Sequence, residues 1–288
     1  MKVVQCVEEL SNYIHKKRSQ DARISFVPTM GALHEGHLTL LHAARREGDI
    51  LVASIFVNPT QFTEAADYET YPTPHEDDIA CAENCGVDLL FMPSAQEMYP
   101  RDFSSHIACG PITSRLEGAC RPGHFDGVTT VVAKLFNLVM PNHAFFGQKD
   151  AQQVLVIRKM VRDFNMPVII RTVPTVRESD GLARSSRNIH LTSKERSEAI
   201  LLYRALSVVH ELFQGGEDRV AMLKNAMEKT LSNARTLRVE YIAFSDEECA
   251  SYTATVPRGK GALCSLAVRM SESGTRLIDN IVLGAFRV

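Results

Sequence analysis

The chain has almost no net charge: 32 lysines and arginines against 34 aspartates and glutamates leave a formal -2 over 288 residues. That balance provides no basic face for nucleic acid and none for an anionic membrane surface. No apolar run is long enough to span a bilayer. The N-terminal MKVVQCVEELSNYIHKKR carries acids where a signal peptide needs an unbroken apolar core, and it reads as a short strand and an amphipathic helix. There is no C-x-x-C pair. Cys6, Cys81, Cys85, Cys109, Cys120, Cys249 and Cys264 are scattered. Cys81 and Cys85 have helical i,i+4 spacing, but no nearby histidine or cysteine completes a metal set. Reduced thiols in small core or surface positions of a cytoplasmic chain fit better. Internal repeats and low-complexity tracts are absent too.

What is present is an ordinary hydrophobic content of 45% beside 23% charged residues, enough for one large core or two modest ones. RISFVP (23–28), ILVASIFVN (50–58), VDLLFMP (87–93), HAFFG (143–147) and PVIIRTVP (167–174) read as strands, several apolar on both faces. Helical spacing recurs between them in EGHLTLLHAARR (35–46), EDDIACAENC (76–85), GVTTVVAKLFNLV (127–139) and AQQVLVIRKMVRDF (151–164). SSHIAC (104–109) is a weaker strand candidate. Strand–helix alternation with doubly apolar strands predicts a parallel sheet covered on both sides.

Past about residue 175 the texture changes. A polar stretch, RESDGLARSSRN (177–188), leads into helical patterns at 193–213 and 217–233, then three strands at 239–246, 261–270 and 275–284 with clearer in/out alternation. The expected fold is therefore α/β: a Rossmann-like parallel-sheet domain over 1–175 and a smaller C-terminal α+β domain over 176–288.

Ligands of such sheets collect outside the carboxyl ends of the strands, where the next helix begins. FVPTMGALHEGHLTLL (26–41) puts two histidines there. Gly31 lets the backbone turn after Met30, and Gly36 leaves room for something to approach His34 and His37. Zinc would favour H-E-x-x-H on one face of an established helix, whereas H-E-G-H straddles a helix start. Satisfied core histidines are the ordinary outcome for a lone ring, but two polar rings flanked by glycines suit a core poorly. Phosphate contact at a helix N-terminus suits them better. No G-x-G-x-x-G follows this strand, so the dinucleotide fingerprint is missing.

H-E-G-H after V-P-T-M-G resembles the H-x-G-H signature of the nucleotidyltransferase and class I synthetase superfamily. With SIFVNPTQF (54–62), EGACRPGHFDGV (117–128), FFGQKDAQQ (145–153), DGLARSSRN (180–188) and LIDN (277–280), nearly the whole chain resembles the pantoate–β-alanine ligase family. That resemblance implies ATP-dependent condensation of pantoate with β-alanine through a pantoyl-adenylate, giving pantothenate, AMP and pyrophosphate on the route to coenzyme A. It implies ATP as substrate with Mg²⁺, small-molecule partners only, and a homodimer.

The resemblance also assigns residues. His37 is the proton donor; His34 and Lys149 complete the catalytic set. Met30, Gly31, Gly147, Asp150, Val176, Arg184, Ser185, Ser186 and Arg187 join them around ATP. Asn58, Gln61 and Gln153 take pantoate, with Gln61 also near β-alanine; Asp77 and Asp78 take Mg²⁺. Arg121 and His124 either shape the site or form a structural turn. Four positions depart from the family pattern: Gln148 where glutamate is common, Arg184 where a leucine or methionine is usual, Asp126 where arginine is frequent, and Cys81 where some members have glutamine.

Overall fold

In the computed structural model, which describes residues 1–63 and 68–288, the apolar runs of the first two-thirds pair in parallel. The strands are β1 (Lys2–Val4), β2 (Ile24–Thr29), β3 (Ile50–Ile55), β4 (Leu89–Phe91), β5 (His143–Gly147) and β6 (Ile169–Val173), in the order β1-β4-β3-β2-β5-β6. Phe26, Val27, Leu51, Val52, Leu89 and Leu90 are fully buried, as a parallel sheet covered on both faces requires. The longer helices of this part are α1 (Val7–Arg18), α2 (Glu35–Glu47), α3 (His75–Asn84), α4 (His124–Val139) and α5 (Ala151–Asp163). From β2 the chain steps to β3 and β4 on one side, then crosses to β5 and β6 on the other. The carboxyl ends of β2 and β5 therefore flank the switch point where open α/β sheets bind ligands.

The backbone divides into two compact units. One comprises Met1–Gly147 and Val156–Val173; the other comprises Gln148–Leu155 and Pro174–Val288. The turn carrying Lys149, counted above with the sheet domain, groups with the second unit. There α6 (Ser193–Gln214) and α7 (Val220–Leu231) pack on an antiparallel sheet, β7 (Leu237–Ser245), β8 (Ala262–Met270) and β9 (Arg276–Leu283), around Leu202, Leu206, Leu223, Leu266 and Val268. Thr192 and Glu195 start α6 with reciprocal capping bonds of 3.2 and 3.0 Å. Burial pushes the Glu195 carboxyl up, but the amides of Ser273, Thr192 and Glu272 outweigh it and bring the pKa down to about 2.

Two expectations fail. Residues 104–109 form no strand. Ile107 instead bonds helix hydroxyls, its N–H to Thr130 Oγ1 at 2.9 Å and its carbonyl to Thr129 Oγ1 at 2.5 Å, so its backbone groups are satisfied without a ladder. And β8 does not alternate. Ala262, Cys264 and Leu266 face the helices, yet Leu263, Ser265 and Ala267 are buried too. It is the middle strand, and on the neighbouring β9 that other face carries Asn280, which holds the Gln148–Asp150 turn.

Candidate active site

At the end of β2 the chain makes a turn that few residues tolerate. Gly31 has φ +86° and Ala32 follows at φ +49°. A side chain on Gly31 would lie 2.9 Å from Asp78 Oδ2 and 3.0 Å from Ile55 Cγ2, so the position needs both the left-handed conformation and the missing Cβ. Asp78, 1% exposed, clasps the turn: its Oδ2 accepts the Ala32 amide at 2.9 Å and its Oδ1 the Leu33 amide at 2.7 Å.

The turn delivers His34 as the N-cap of α2. Its Nδ1 accepts the Gly36 amide at 3.1 Å, while His37 Nδ1 accepts the His34 amide at 3.3 Å. Two imidazoles thus fill the reciprocal roles that a serine and a glutamate usually take in a capping box. An accepting Nδ1 carries no proton, so each neutral ring bears its hydrogen on Nε2. The rings lie 4.2 Å apart at 36°, both half-buried. The result is a pair of tautomer-fixed N–H donors at the positive end of a 13-residue helix. Gly36 serves the ring itself rather than an incoming group: a Cβ there would sit 2.9 Å from His34 Cε1.

Beyond β3, Asn58 and the one-turn helix Pro59–Gln61 build the second feature. Asn58 is 1% exposed and its amide is engaged by the protein. Its Nδ2 donates to Gln61 Oε1 at 3.1 Å and to the Gly127 carbonyl at 3.2 Å; its Oδ1 accepts Tyr99 Oη at 2.8 Å and Thr60 Oγ1 at 2.9 Å. Asn58 acts by fixing which way the Gln61 amide faces. With Oε1 occupied, Gln61 turns its Nε2 toward Met30 Sδ, 2.8 Å away. His124 Nδ1 and Arg121 Nη2 hold the Gln61 carbonyl at 2.7 and 3.5 Å. Tyr99, which no sequence motif singled out, donates from a phenol whose pKa burial pushes up.

The expected Mg²⁺ pair does not form a two-carboxylate cradle. Asp78 is turned inward with both oxygens on backbone amides, and Asp77, its neighbour on α3, is exposed. Among the described residues no group of three or more histidine, cysteine or acidic side chains is placed to hold a metal ion.

In the second unit Lys149 follows β5 directly, half-buried, its Nζ 3.2 Å from Asp150 Oδ1. Gln153 is half-buried in the first turn of α5. The polar segment 177–188 is tied down. Arg184 N–H bonds the Val176 carbonyl at 2.9 Å and Glu178 N–H the Leu182 carbonyl at 2.8 Å, closing a tight hairpin. Arg177 meets Asp279 twice, at 2.6 and 3.0 Å, and its guanidinium lies 4.2 Å over the Tyr203 ring. Arg196 pairs with Glu178 at 2.8 Å and Asp180 at 2.7 Å; its guanidinium holds the Asp180 carboxyl below the usual range. Beyond the hairpin, Ser185 Oγ accepts the Arg187 amide at 3.3 Å and starts the short helix Ser186–His190.

A parallel sheet with a histidine-capped helix at its switch point defines a Rossmann-like α/β enzyme of the H-x-G-H type. The family model described as pantoate-beta-alanine ligase matches residues 2–282, and the chain belongs to that family. A pantothenate synthetase of Moorella thermoacetica is 47% identical over 283 residues, covering 98% of this chain and 99% of the relative. One from Caldicellulosiruptor bescii is also 47% identical, covering 99% of this chain and all of the relative (100%). Among solved structures, pantothenate synthetase from Thermus thermophilus matches with a TM-score of 0.91 at 45% identity, covering 100% of both chains. Pantoate-beta-alanine ligase from Francisella tularensis, complexed with beta-gamma ATP and beta-alanine, matches with a TM-score of 0.78 at 35% identity, covering 98% of this chain and 97% of that one. No helix among the described residues is long and apolar enough to cross a membrane.

Proposed function

We propose that the chain joins pantoate to β-alanine in two steps at the expense of ATP. A pantoate carboxylate oxygen attacks the α-phosphorus, the bond to pyrophosphate breaks, and pantoyl-adenylate forms. The β-alanine amine then attacks the acyl carbon, the bond to AMP breaks, and the amine loses its proton as the amide of pantothenate is made. Charge gathers on the departing pyrophosphate, so catalysis rests on positioning and on donors aimed where that charge develops.

The observation that carries this reading is the histidine pair with its Nδ1 atoms spent on backbone amides. The Nε2–H donors of His34 and His37 hydrogen-bond phosphate oxygens as charge develops on the leaving pyrophosphate. Met30, Gly31 and Gly147 line the nucleotide pocket of the first unit. Gln61 offers its Nε2 to pantoate and stays near β-alanine, with Asn58 and Tyr99 behind it. From the second unit, Lys149 and Arg187 take the triphosphate with Ser185 and Ser186, while Asp150, Val176 and Arg184 flank the nucleotide and Gln153 contacts pantoate. In this reading the second domain closes over the first and shields the adenylate from water. Mg²⁺ arrives as part of the substrate, on the triphosphate, consistent with a cation that keeps most of its water. By family resemblance the enzyme is a cytoplasmic homodimer, which sedimentation of the purified protein tests.

Incubation with ATP, Mg²⁺, pantoate and β-alanine is expected to yield AMP, pyrophosphate and pantothenate in equal amounts. Formation of ADP, or pyrophosphate exchange that requires nicotinamide mononucleotide and ignores pantoate, contradicts the proposal.

A further inference from the structure

Strand β9 carries two adjacent polar residues in an otherwise apolar stretch, Asp279 and Asn280, 2% and 4% exposed. Neighbours on a strand point to opposite faces, and each of these reaches a different segment of the second unit. Asn280 Nδ2 donates to the Gln148 carbonyl at 3.0 Å and to the Lys149 carbonyl at 2.9 Å, while its Oδ1 accepts Gln148 Nε2 at 3.4 Å. Asp279 takes the bidentate Arg177 pair on the other face, and Arg177 also donates to the Gly181 carbonyl at 3.1 Å, inside the hairpin that leads to Ser185. The two anchors are themselves joined. Asp279 Oδ1 accepts the Asn280 amide at 2.8 Å, and Arg177 Nη2 reaches the Asn280 carbonyl at 3.4 Å.

We propose that Asp279 and Asn280 form one positioning element that sets both phosphate-directed segments of this unit. Asn280 fixes the Lys149 turn, and Asp279, through Arg177, fixes the root of the segment bearing Ser185, Ser186 and Arg187. The inference rests on the phosphate reading of Lys149 given above. The chemistry at 280 is specific: two donors and one acceptor are needed at one buried point, which a primary amide supplies and a carboxylate does not. With alanine there, two partly buried carbonyls lose this donor and the turn is free to shift. A misplacement of about 1 Å is enough to cost up to about a hundredfold in rate. Gln148 belongs to the same device, since its own amide, unlike the family's common glutamate, donates to Asn280.

The test is a double-mutant cycle in pantoate-dependent pyrophosphate exchange, using the full-length enzyme with Asn280→Ala, Lys149→Ala and both together. Asn280→Ala is expected to lower the exchange rate about tenfold, with some loss of melting temperature from the two bonds removed, and to cost less than about twofold when Lys149 is already alanine. Asn280→Ser, which keeps one donor, should fall between wild type and Asn280→Ala, and it carries the cycle if the alanine variant does not fold. A folded Asn280→Ala enzyme with wild-type exchange overturns the inference, as does an equal loss in both Lys149 backgrounds. Wild-type exchange in Lys149→Ala alone sinks the phosphate reading of Lys149, and the inference with it. A slow Lys149→Ala beside a normal Asn280→Ala sinks the inference and leaves the phosphate reading standing.

Discussion

In the first unit the groups given roles in the proposed chemistry bond to one another at short sequence reach, while Asp78 clasps the histidine turn from 45 and 46 residues away and Gly127 holds Asn58 from 69. His34 and His37 cap each other three residues apart, and Asn58 orients Gln61 across the same distance. In the second unit the anchors come from far along the chain: Asn280 reaches back 132 residues to Gln148, and Asp279 reaches 102 to Arg177. A locally closed site keeps its geometry wherever its turn and helix form. A site closed over long range depends on the fold of the whole unit and can shift with it.

The comparison breaks most visibly at His37. His37→Ala removes one locally fixed donor and is expected to lower the rate of adenylate formation about a hundredfold, with the fold intact; single-turnover measurement of adenylate checks it, and an unchanged rate removes His37 from the chemistry. Asp78→Ala tests whether a long-range clasp supports the local turn. It leaves two buried amides without acceptors, at about 1–3 kcal/mol each, and is expected to lower both thermal stability and adenylation, about tenfold for the latter. The Mg²⁺ concentration for half-maximal rate should stay where it was; a large rise would mean that Asp78 acts as a metal ligand.

Gln61→Ala is expected to raise the KM for pantoate about tenfold, the scale of one lost hydrogen bond, with the KM for ATP unchanged. Equal losses for both substrates contradict the role given to Gln61. Glu195→Gln probes the second unit alone. The folded carboxyl, at about 2, lies below its ordinary 4.5, so its stabilising effect is complete above the higher value and drains away as pH falls toward the lower. Acid-unfolding curves should therefore flatten over that window in the variant, and parallel curves would refute the assignment. Arg184→Leu restores the common family residue and is expected to change only the KM for ATP, by about two- to threefold, the size of an exposed charge contact. No change would mean that the side chain points away from the nucleotide.

How much could be read from the chain follows the same divide. The strands of the parallel sheet announced themselves because burial on both faces demands unbroken apolar runs, as in Ile50–Ile55. The histidine turn was equally legible, since glycines and a helix start within a few residues constrain one another locally. Asn58 is assigned to substrate by resemblance, and its bonds to Tyr99, Thr60 and Gly127 are not visible in the sequence. Residues 177–188 read only as a polar stretch, since the pairing of Arg177 with Asp279 and of Glu178 with Arg196 cannot be read from composition. Asn280 stood in view within LIDN, yet nothing in that motif tells that its side chain grips a turn at 148.

Ring nitrogen shifts of His34 and His37, measured by long-range proton–nitrogen NMR with and without a non-hydrolysable ATP analogue, test the whole account most directly. It predicts that in the nucleotide-free enzyme each Nδ1 accepts and each Nε2 bears a proton, and that binding displaces only the Nε2 signals. Protons on Nδ1 in the free enzyme, or Nε2 signals indifferent to the nucleotide, would contradict it.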